Sequence, residues 1–154
     1  MTAYRFRVKA QWNPRGLWRD IIIGEKRTLE DLHEAINLSF GLDFDHLWFF
    51  SIGQRYWNSP IQYQSPWEIK EKSPLLDQLD DWFRSWKETR NAGEITLVDL
   101  NLAVRDRLCY LFDYGDEWRF YLILKEKLGD EPSDKAPVVV KERGDKVVQY
   151  SPER

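Results

Sequence analysis

The sequence predicts an α+β fold: a mixed β-sheet with helices packed on one face, built on a β-grasp-like hairpin, helix and strand core plus extra hairpins. Three observations predict it. Apolar and charged residues alternate from Tyr4 to Trp12, a capped helical pattern runs from Thr28 to Gly41, and an aromatic run follows from His46 to Ile52. With 154 residues, of which 42% are hydrophobic, the chain can bury one core without disulfides or metals. Residues 1–154 are therefore predicted to form a single domain.

The chain begins with a predicted β-hairpin. A period of two places one set of side chains on the inner face of the first strand and the other set on its outer face. The inner set is Tyr4, Phe6, Val8, Ala10 and Trp12, and the outer set is Arg5, Arg7, Lys9 and Gln11. Turn-forming residues follow at 13–16, and Leu17 to Gly24 is typical of a second strand, so the two strands are expected to pair.

A helix and a central strand are predicted next. Thr28 is an N-cap residue with Asp31 at the third helical position, and Gly41 suits the left-handed conformation that ends a helix. The residues that recur at helical spacing are Leu29, Leu32, His33, Ile36 and Phe40. His46 to Ile52 is apolar on nearly both faces, which predicts a strand covered on both sides.

The middle of the chain is less regular. Gly53 to Pro74 predicts a long loop that exposes Tyr56, Trp57 and Tyr63, and Leu75 to Trp86 predicts an amphipathic helix that ends near residue 91. Thr96 to Leu100 repeats the helix start found at Thr28. Two explanations stay open, a structural pseudo-repeat or capping boxes that converge on the same residues.

Two further hairpins complete the predicted sheet. Strands over 108–112 and 118–124 flank an acidic turn in which Gly115 is expected to supply the positive φ. Valine-rich strands at 138–140 and 147–150 flank Gly144, and this last hairpin is expected at the sheet edge.

Composition excludes several classes of protein. The chain has one cysteine, Cys109, which excludes an internal disulfide and a cysteine-based zinc site and suits a reducing cytoplasm. Met1 leads directly into strand pattern, and the longest aliphatic run is Ile21 to Ile23, so neither a signal peptide nor a membrane span is expected. The net charge of −3 disfavours a nonspecific polyanion binder.

The turn from Phe112 to Trp118 resembles that of the plasmid pRiA4b ORF-three-like family. Its core reads Asp-Tyr-Gly-Asp-Glu-Trp, and the order of the other segments is also similar. These segments are the opening strand, the Trp18-Arg19 pair, the Thr28 to His33 helix start and His46-Leu47 before the aromatic strand. The resemblance spans about residues 4–150. Relatives carry Pro-Pro-Glu-Asp near the C-terminus, where this chain has Gln149 to Arg154. The resemblance implies an association with plasmids and mobile elements and no particular activity.

The preferred functional hypothesis is a binding or interaction module with a nucleic acid or a protein as its partner. Cations on the first strand can contact phosphates, and Trp or Tyr side chains of the Gly53 to Pro74 loop can stack on bases. The alternative is that this strand face is solvated or paired with acids. The candidate binding residues are Arg5, Arg7, Lys9, Arg19, Trp57, Tyr63 and Trp118.

The second hypothesis is a metal-assisted or acid/base hydrolytic enzyme in which His46 converges with Asp113 and Asp116. It requires His46 within hydrogen-bond reach of a carboxylate in a pocket. Two carboxylates of the acidic turn also suit a divalent metal ion. The alternative is that Asp113 and Asp116 accept hydrogen bonds from the backbone of their own turn. His33, on the apolar helix stripe, is expected to be a core histidine bonded to backbone. The sequence has no P-loop, dinucleotide fingerprint, helix-turn-helix or zinc motif, so no cofactor is predicted.

Overall fold

Eight strands form one mixed sheet in a computed structural model that describes residues 1–71 and 88–149. The strands are β1 (Ala3–Ala10), β2 (Trp18–Gly24), β3 (Trp48–Ile52), β4 (Ile61–Gln64), β5 (Glu88–Asn91), β6 (Arg107–Phe112), β7 (Trp118–Leu128) and β8 (Val138–Arg143). Their order across the sheet is β5-β4-β3-β6-β7-β1-β2-β8, with only the β4 and β5 pair parallel. The other elements of the described residues are two helices, α1 (Leu29–Phe40) and α2 (Pro66–Glu71), and a 3-10 turn (Leu97–Leu100).

The first hairpin forms as its alternation predicts. β1 pairs antiparallel with β2 from Ala3 opposite Gly24 to Lys9 opposite Trp18. Tyr4, Phe6 and Val8 are buried, which confirms the predicted inner face. The other edge of β1 pairs with β7, so this strand lies in the interior of the sheet.

Helix α1 starts and ends at the predicted residues. The Thr28 hydroxyl accepts a hydrogen bond from the Asp31 N–H, the Asp31 carboxylate accepts one from the Thr28 N–H, and Gly41 adopts the left-handed conformation with φ 79°. These bonds satisfy N–H groups that the first helical turn leaves free. The apolar face of α1 joins the main core cluster through Leu29, Leu32, Ile36 and Phe40.

Strand β3 is covered on both faces, as its sequence predicts. Phe50 and Trp48 belong to the main core cluster, whereas Phe49 belongs to a second cluster on the opposite face with Tyr56 and Leu111. The predicted hairpin and helix are present, and β3 lies between β4 and β6, with β6 and β7 between it and β1.

Several predictions about the irregular segments were wrong. Residues 53–74 were expected to form a loop, but they contain β4 and the described part of α2. Tyr56 and Tyr63 were expected to be exposed, yet both are buried, because Tyr56 donates to the Phe120 carbonyl and Tyr63 packs into the main core. The predicted helix at 75–86 lies outside the described residues.

The two similar capping boxes lie side by side. Thr28 and Thr96 form an isolated antiparallel bridge, with Leu29 N–H bonded to the Ile95 carbonyl and Leu97 N–H bonded to the Arg27 carbonyl. Only the first box starts an α-helix, since the second starts a 3-10 turn that ends at Asn101 in the left-handed conformation.

The last hairpin was also predicted wrongly. β8 does lie at a sheet edge, but it pairs with β2, and residues 145–148 form no strand. The segment after β8 is instead bonded to the end of α1, because the Val147 N–H donates to the Phe40 carbonyl.

Candidate functional site

A cavity of about 390 Å³ lies beside the N-terminal half of α1. We call it the His46 cavity. Its walls are Glu30 and His33 from α1, the segment Phe44 to Trp48 that leads into β3, and Ser65 to Trp67 at the start of α2. This volume falls in the range of small-molecule sites, which are typically lined by aromatic groups with a few polar atoms. The cavity is the natural candidate site.

His46 lies between two carboxylates at the wall of this cavity. Its Nδ1 is 2.9 Å from Asp43 Oδ1, and its Nε2 is 3.5 Å from Asp113 Oδ2. Burial alone would lower the pKa of His46, but the Asp43 hydrogen bond and the charges of Asp113, Asp43 and Asp45 outweigh it and raise that pKa. His46 is therefore within hydrogen-bond reach of a carboxylate in a cavity, as the acid/base hypothesis requires.

His33 is held in one tautomer by a chain of buried hydrogen bonds. The Asn37 amide donates to the Asp43 carbonyl, so its Oδ1 accepts from the Tyr110 hydroxyl at 2.7 Å. The Tyr110 oxygen must then accept from His33 Nδ1, 2.6 Å away, because its own proton is already donated. This assigns the proton to Nδ1 and leaves Nε2 as an acceptor. The prediction of a backbone-bonded His33 was wrong, since its partner is a tyrosine side chain.

Burial keeps His33 neutral. Desolvation lowers the pKa of His33 to about 3, and the ring is stacked on Trp48 with centroids 3.9 Å apart. Its Nε2 has no hydrogen-bond partner among the described residues. Because His33 lines the cavity, this unprotonated nitrogen is the acceptor that the histidine offers there.

Glu30 supplies a second acceptor. It is half-buried at the cavity wall, and its carboxylate makes no hydrogen bond or ion pair within residues 1–71 and 88–149. Desolvation, then the charges of Glu34 and Asp31, raise the pKa of Glu30. The described part of the cavity wall carries no lysine or arginine, so Glu30 lacks a counter-charge there.

The cations of the first strand lie elsewhere and are already paired. Asp20 on β2 is fully buried and accepts from Arg5 Nη2 at 2.7 Å and from Arg7 Nε at 2.8 Å. Burial would raise the pKa of Asp20, but the hydrogen bonds from Arg7 and Arg5 lower it. Lys9 is half-buried on the same strand. This row is therefore partly neutralised by an acid within the sheet.

Arg19 is a buried structural cation. It is 2% exposed, and its guanidinium donates to the carbonyls of Ser39, Trp18, Arg143 and Gly144. These bonds tie the end of α1 to β2 and to the end of β8. Burial lowers the pKa of Arg19 despite nearby acids. A residue so enclosed offers few donors to an external ligand.

The candidate aromatic residues are mostly packed. Trp57 is half-buried against Phe49 and Tyr114, and its Nε1 donates to Glu117 at 2.9 Å. Tyr63 is buried, as noted above. Trp118 is half-buried and packs edge-on against Trp12. None of the three lines the His46 cavity.

The acidic turn binds its own backbone. Asp113 Oδ1 accepts from the N–H groups of Gly115 and Asp116, which leaves Oδ2 for His46. The positive φ was predicted at Gly115, but Asp113 and Glu117 adopt it, with φ 68° and 53°. A short polar side chain such as that of Asp113 tolerates this region through local hydrogen bonds. Within the described residues, no group of three or more histidine, cysteine, aspartate or glutamate side chains is arranged to hold a metal ion.

The sequence singled out His46, which lines the cavity, and Asp113, which contacts His46, but it did not indicate most of the other lining residues. Trp48 was assigned only to the core, and Trp67 was not singled out. Glu30 carried no signal beyond its place in an acidic first helical turn.

Comparisons with known proteins agree on the fold. Among solved structures, the chain is similar to a protein of unknown function from Methanosarcina mazei Go1, with a TM-score of 0.68 and 17% identity over 92% of this chain and 69% of that one. No curated protein matched. In residues 1–71 and 88–149, no helix has both the length and the apolar character that crossing a bilayer requires. The family model for the plasmid pRiA4b ORF-3-like protein matches residues 2–149, nearly the whole chain, so this chain belongs to that family.

Proposed function

We propose that this protein is a ligand-binding module and that the His46 cavity is its binding site. The observation that carries the proposal is the composition of that cavity. Aromatic side chains of the wall surround polar atoms that either have no partner among the described residues, as at Glu30, or are held in one protonation state, as at His33. Binding sites combine an apolar wall with a few oriented polar groups in this way.

We prefer the cavity to the first strand as the binding surface because the arginines of the strand already have a hydrogen-bond acceptor, whereas Glu30 in the cavity has no partner among the described residues. Arg5 and Arg7 donate to Asp20, so contact with a nucleic acid through this row requires them to leave a buried carboxylate. An association with plasmids or mobile elements is part of the proposal and is supported by the description of the family. The buried thiol of Cys109 supports a reducing compartment, the cytoplasm.

A thermal-shift screen tests the proposed site. The panel contains divalent metals, nucleotides, amines, amino acids and short DNA and RNA. A saturating ligand stabilises the folded state by about a kcal/mol or more through mass action. Trp67 lines the cavity and is 64% exposed, whereas Trp12 is 48% exposed and does not line it, so Trp67→Ala and Trp12→Ala form a matched pair.

We expect a ligand that stabilises the wild-type protein and the Trp12→Ala variant to lose its effect on Trp67→Ala. A ligand that stabilises all three proteins equally binds elsewhere and contradicts the proposed site. A nucleic acid that stabilises the wild-type protein but not variants that lack Arg5 and Arg7 would place the binding site on the first strand instead.

An acid/base hydrolase is the second candidate function, and the contact between His46 and Asp43 favours it. A carboxylate on Nδ1 orients an imidazole so that its Nε2 can exchange a proton with water or substrate. Here Nε2 also faces Asp113, whereas Asp116 contributes its backbone N–H to the turn. The test is hydrolysis of activated carboxylic and phosphate esters by the wild-type protein and by His46→Gln. Equal rates in the two proteins would remove this candidate.

A further inference from the structure

The ligand of the His46 cavity can be assigned a charge and a hydrogen-bonding character. Resting on the proposed binding function, we infer that it is an organic cation that donates hydrogen bonds, a guanidinium or alkylammonium group. Glu30 and His33 Nε2 accept from this group, and the exposed rings of Trp67 and Phe44 flank it.

The charge follows from the acids at the cavity wall. Glu30 has no partner in the described parts of the chain, and its acidic neighbours Glu34 and Asp31 only add repulsion. Asp45 adds a further carboxylate to the cavity wall. A protonated His46 is the one cation on the described wall, and it already lies between Asp43 and Asp113. A cationic ligand balances this charge, whereas an anion would add to it.

The donor character follows from His33. This residue is 6% exposed, and its Nδ1 proton is committed to Tyr110. Nε2 is therefore an acceptor that has no partner among the described residues and belongs to a residue of the cavity wall. An acceptor on a cavity wall that no described group satisfies is met by water or by a ligand N–H, so a ligand with N–H groups is favoured over one without them. A quaternary ammonium ion has no N–H and leaves both acceptors unsatisfied.

The aromatic walls suit the same ligand. Trp48 is buried and stacked on the His33 ring, so Trp67 and Phe44 are the exposed aromatic rings that the described wall offers to a ligand. Indole faces attract cations through the negative potential of their π-systems, and a planar guanidinium stacks on them as well. The cavity volume of about 390 Å³ accommodates such a head group with part of its alkyl chain.

The test is a titration of the full-length protein, followed by the indole N–H signals in NMR. The cationic probes are agmatine and N-acetyl-argininamide. The comparison probes are N-acetyl-citrullinamide, which is a neutral isostere, tetramethylammonium, which has no N–H, and N-acetyl-glutamate, which is an anion. We expect saturable shifts with the first two and affinities lower by about ten-fold or more for the others.

Glu30→Gln should lower the affinity for agmatine by about ten-fold. The fold of this variant should be retained, because Glu30 makes no hydrogen bond or ion pair in the described structure. Glu34→Gln is the matched control, since Glu34 is an exposed acid one turn further along α1 that does not line the cavity. It should bind the cationic probes like the wild type.

The outcomes separate the inference from the function beneath it. Tight binding of tetramethylammonium, or of the anionic or neutral probe, in the cavity would overturn the ligand class and retain the binding function. No effect of any probe on the cavity signals would overturn both. Stronger binding of agmatine than of N-acetyl-argininamide supports a small-molecule amine, and the reverse order supports a basic side chain of a protein partner.

Discussion

His33 and His46 line one cavity but hold opposite protonation preferences. His33 is enclosed by aromatic rings, and desolvation of the charged form lowers its pKa to about 3. Burial acts in the same direction at His46, but that ring lies between Asp43 and Asp113, so its pKa is raised. The same residue type is therefore neutral on one wall and readily protonated on the other, which makes the pH dependence of stability a test of both environments.

The first prediction concerns His33. Unfolded histidine binds a proton below about pH 6.5, whereas native His33 does so only near pH 3, so the unfolded state carries more protons between these values. The stability that neutral His33 contributes is present above pH 6.5 and is lost as the pH falls towards 3. We expect a loss of about 1.4 kcal/mol per pH unit in this window. Urea unfolding of the wild type and of His33→Gln from about pH 7 to 4 measures it, and an equal slope in both proteins would contradict a neutral His33.

The second prediction concerns His46 and has the opposite sign. Because the pKa of His46 is raised in the folded protein, its contribution is fully present below the unfolded value and is lost as the pH rises through the folded value. The difference in unfolding free energy between the wild type and His46→Gln should thus be largest near pH 6 and smallest near pH 9. A difference that stays constant over this range would mean that the Asp43 and Asp113 contacts do not favour the charged ring.

The third prediction concerns Asp20. Removal of a buried carboxylate leaves Arg5 and Arg7 close together without their acceptor, so Asp20→Ala should destabilise the fold by about 3 kcal/mol. Asp130→Ala is the matched control, because this exposed carboxylate should change stability by about 0.5 kcal/mol or less. Denaturant unfolding of both variants measures the difference. A small effect at Asp20 would mean that the first strand is free to bind a ligand.

For single residues, the sequence indicates which side chains are candidates for a site better than it indicates what those side chains contact. It indicates His46 and Asp113 as candidates, because few residue types transfer protons near neutral pH. It does not reveal that Asp20 pairs with the first strand, since a lone acid in a strand pattern has no local signature. The hydrogen bonds that link His33, Tyr110 and Asn37 are equally hidden. Tyr110 lies 77 residues from His33 in the sequence, and no local pattern connects the two.

At the scale of elements, local signals were sufficient wherever one segment decides its own structure. The first hairpin, α1 and the β6 and β7 hairpin were predicted, since alternation, capping and turn chemistry act within a few residues. β4 and the 3-10 turn were not. β4 has four residues and exists because β3 and β5 pair with it, and Thr96 begins a turn that ends after four residues. The structures of β4 and of the 3-10 turn therefore depend on contacts with other parts of the fold and not on local sequence alone.

The fourth prediction concerns the junction after β8. Gly144 has φ 89°, and a Cβ there would lie 2.3 Å from the Gly16 carbonyl oxygen, so Gly144→Ala combines a strained backbone with a clash. We expect a loss of about 2 kcal/mol or more. Gly129→Ala is the control, because nothing lies within 4 Å of its Cβ position and its φ is ordinary. Amide exchange in residues 138–143 should increase in the first variant only, because Arg19 binds the Gly144 carbonyl.

At the scale of the whole molecule, strand order is the least predictable property. The sequence predicts a mixed sheet, and the sheet is mixed. The position of β1 beside β7 depends on a pairing of Ala3 with Leu128, which no local pattern encodes. The same long-range pairing makes the sheet continuous from the first hairpin to the last.

The fifth prediction follows from this topology. Because β1 in the sheet interior pairs with a strand more than 100 residues away, partial unfolding of either end exposes the core of the other. A single domain should therefore unfold in one transition, with far-UV circular dichroism and tryptophan fluorescence curves that coincide. Closing such long loops before the contacts form is slow, so refolding should take milliseconds to seconds rather than microseconds. Two separate transitions would show that residues 1–154 form more than one folding unit, and refolding in microseconds would show that the β1 and β7 pairing does not limit the rate.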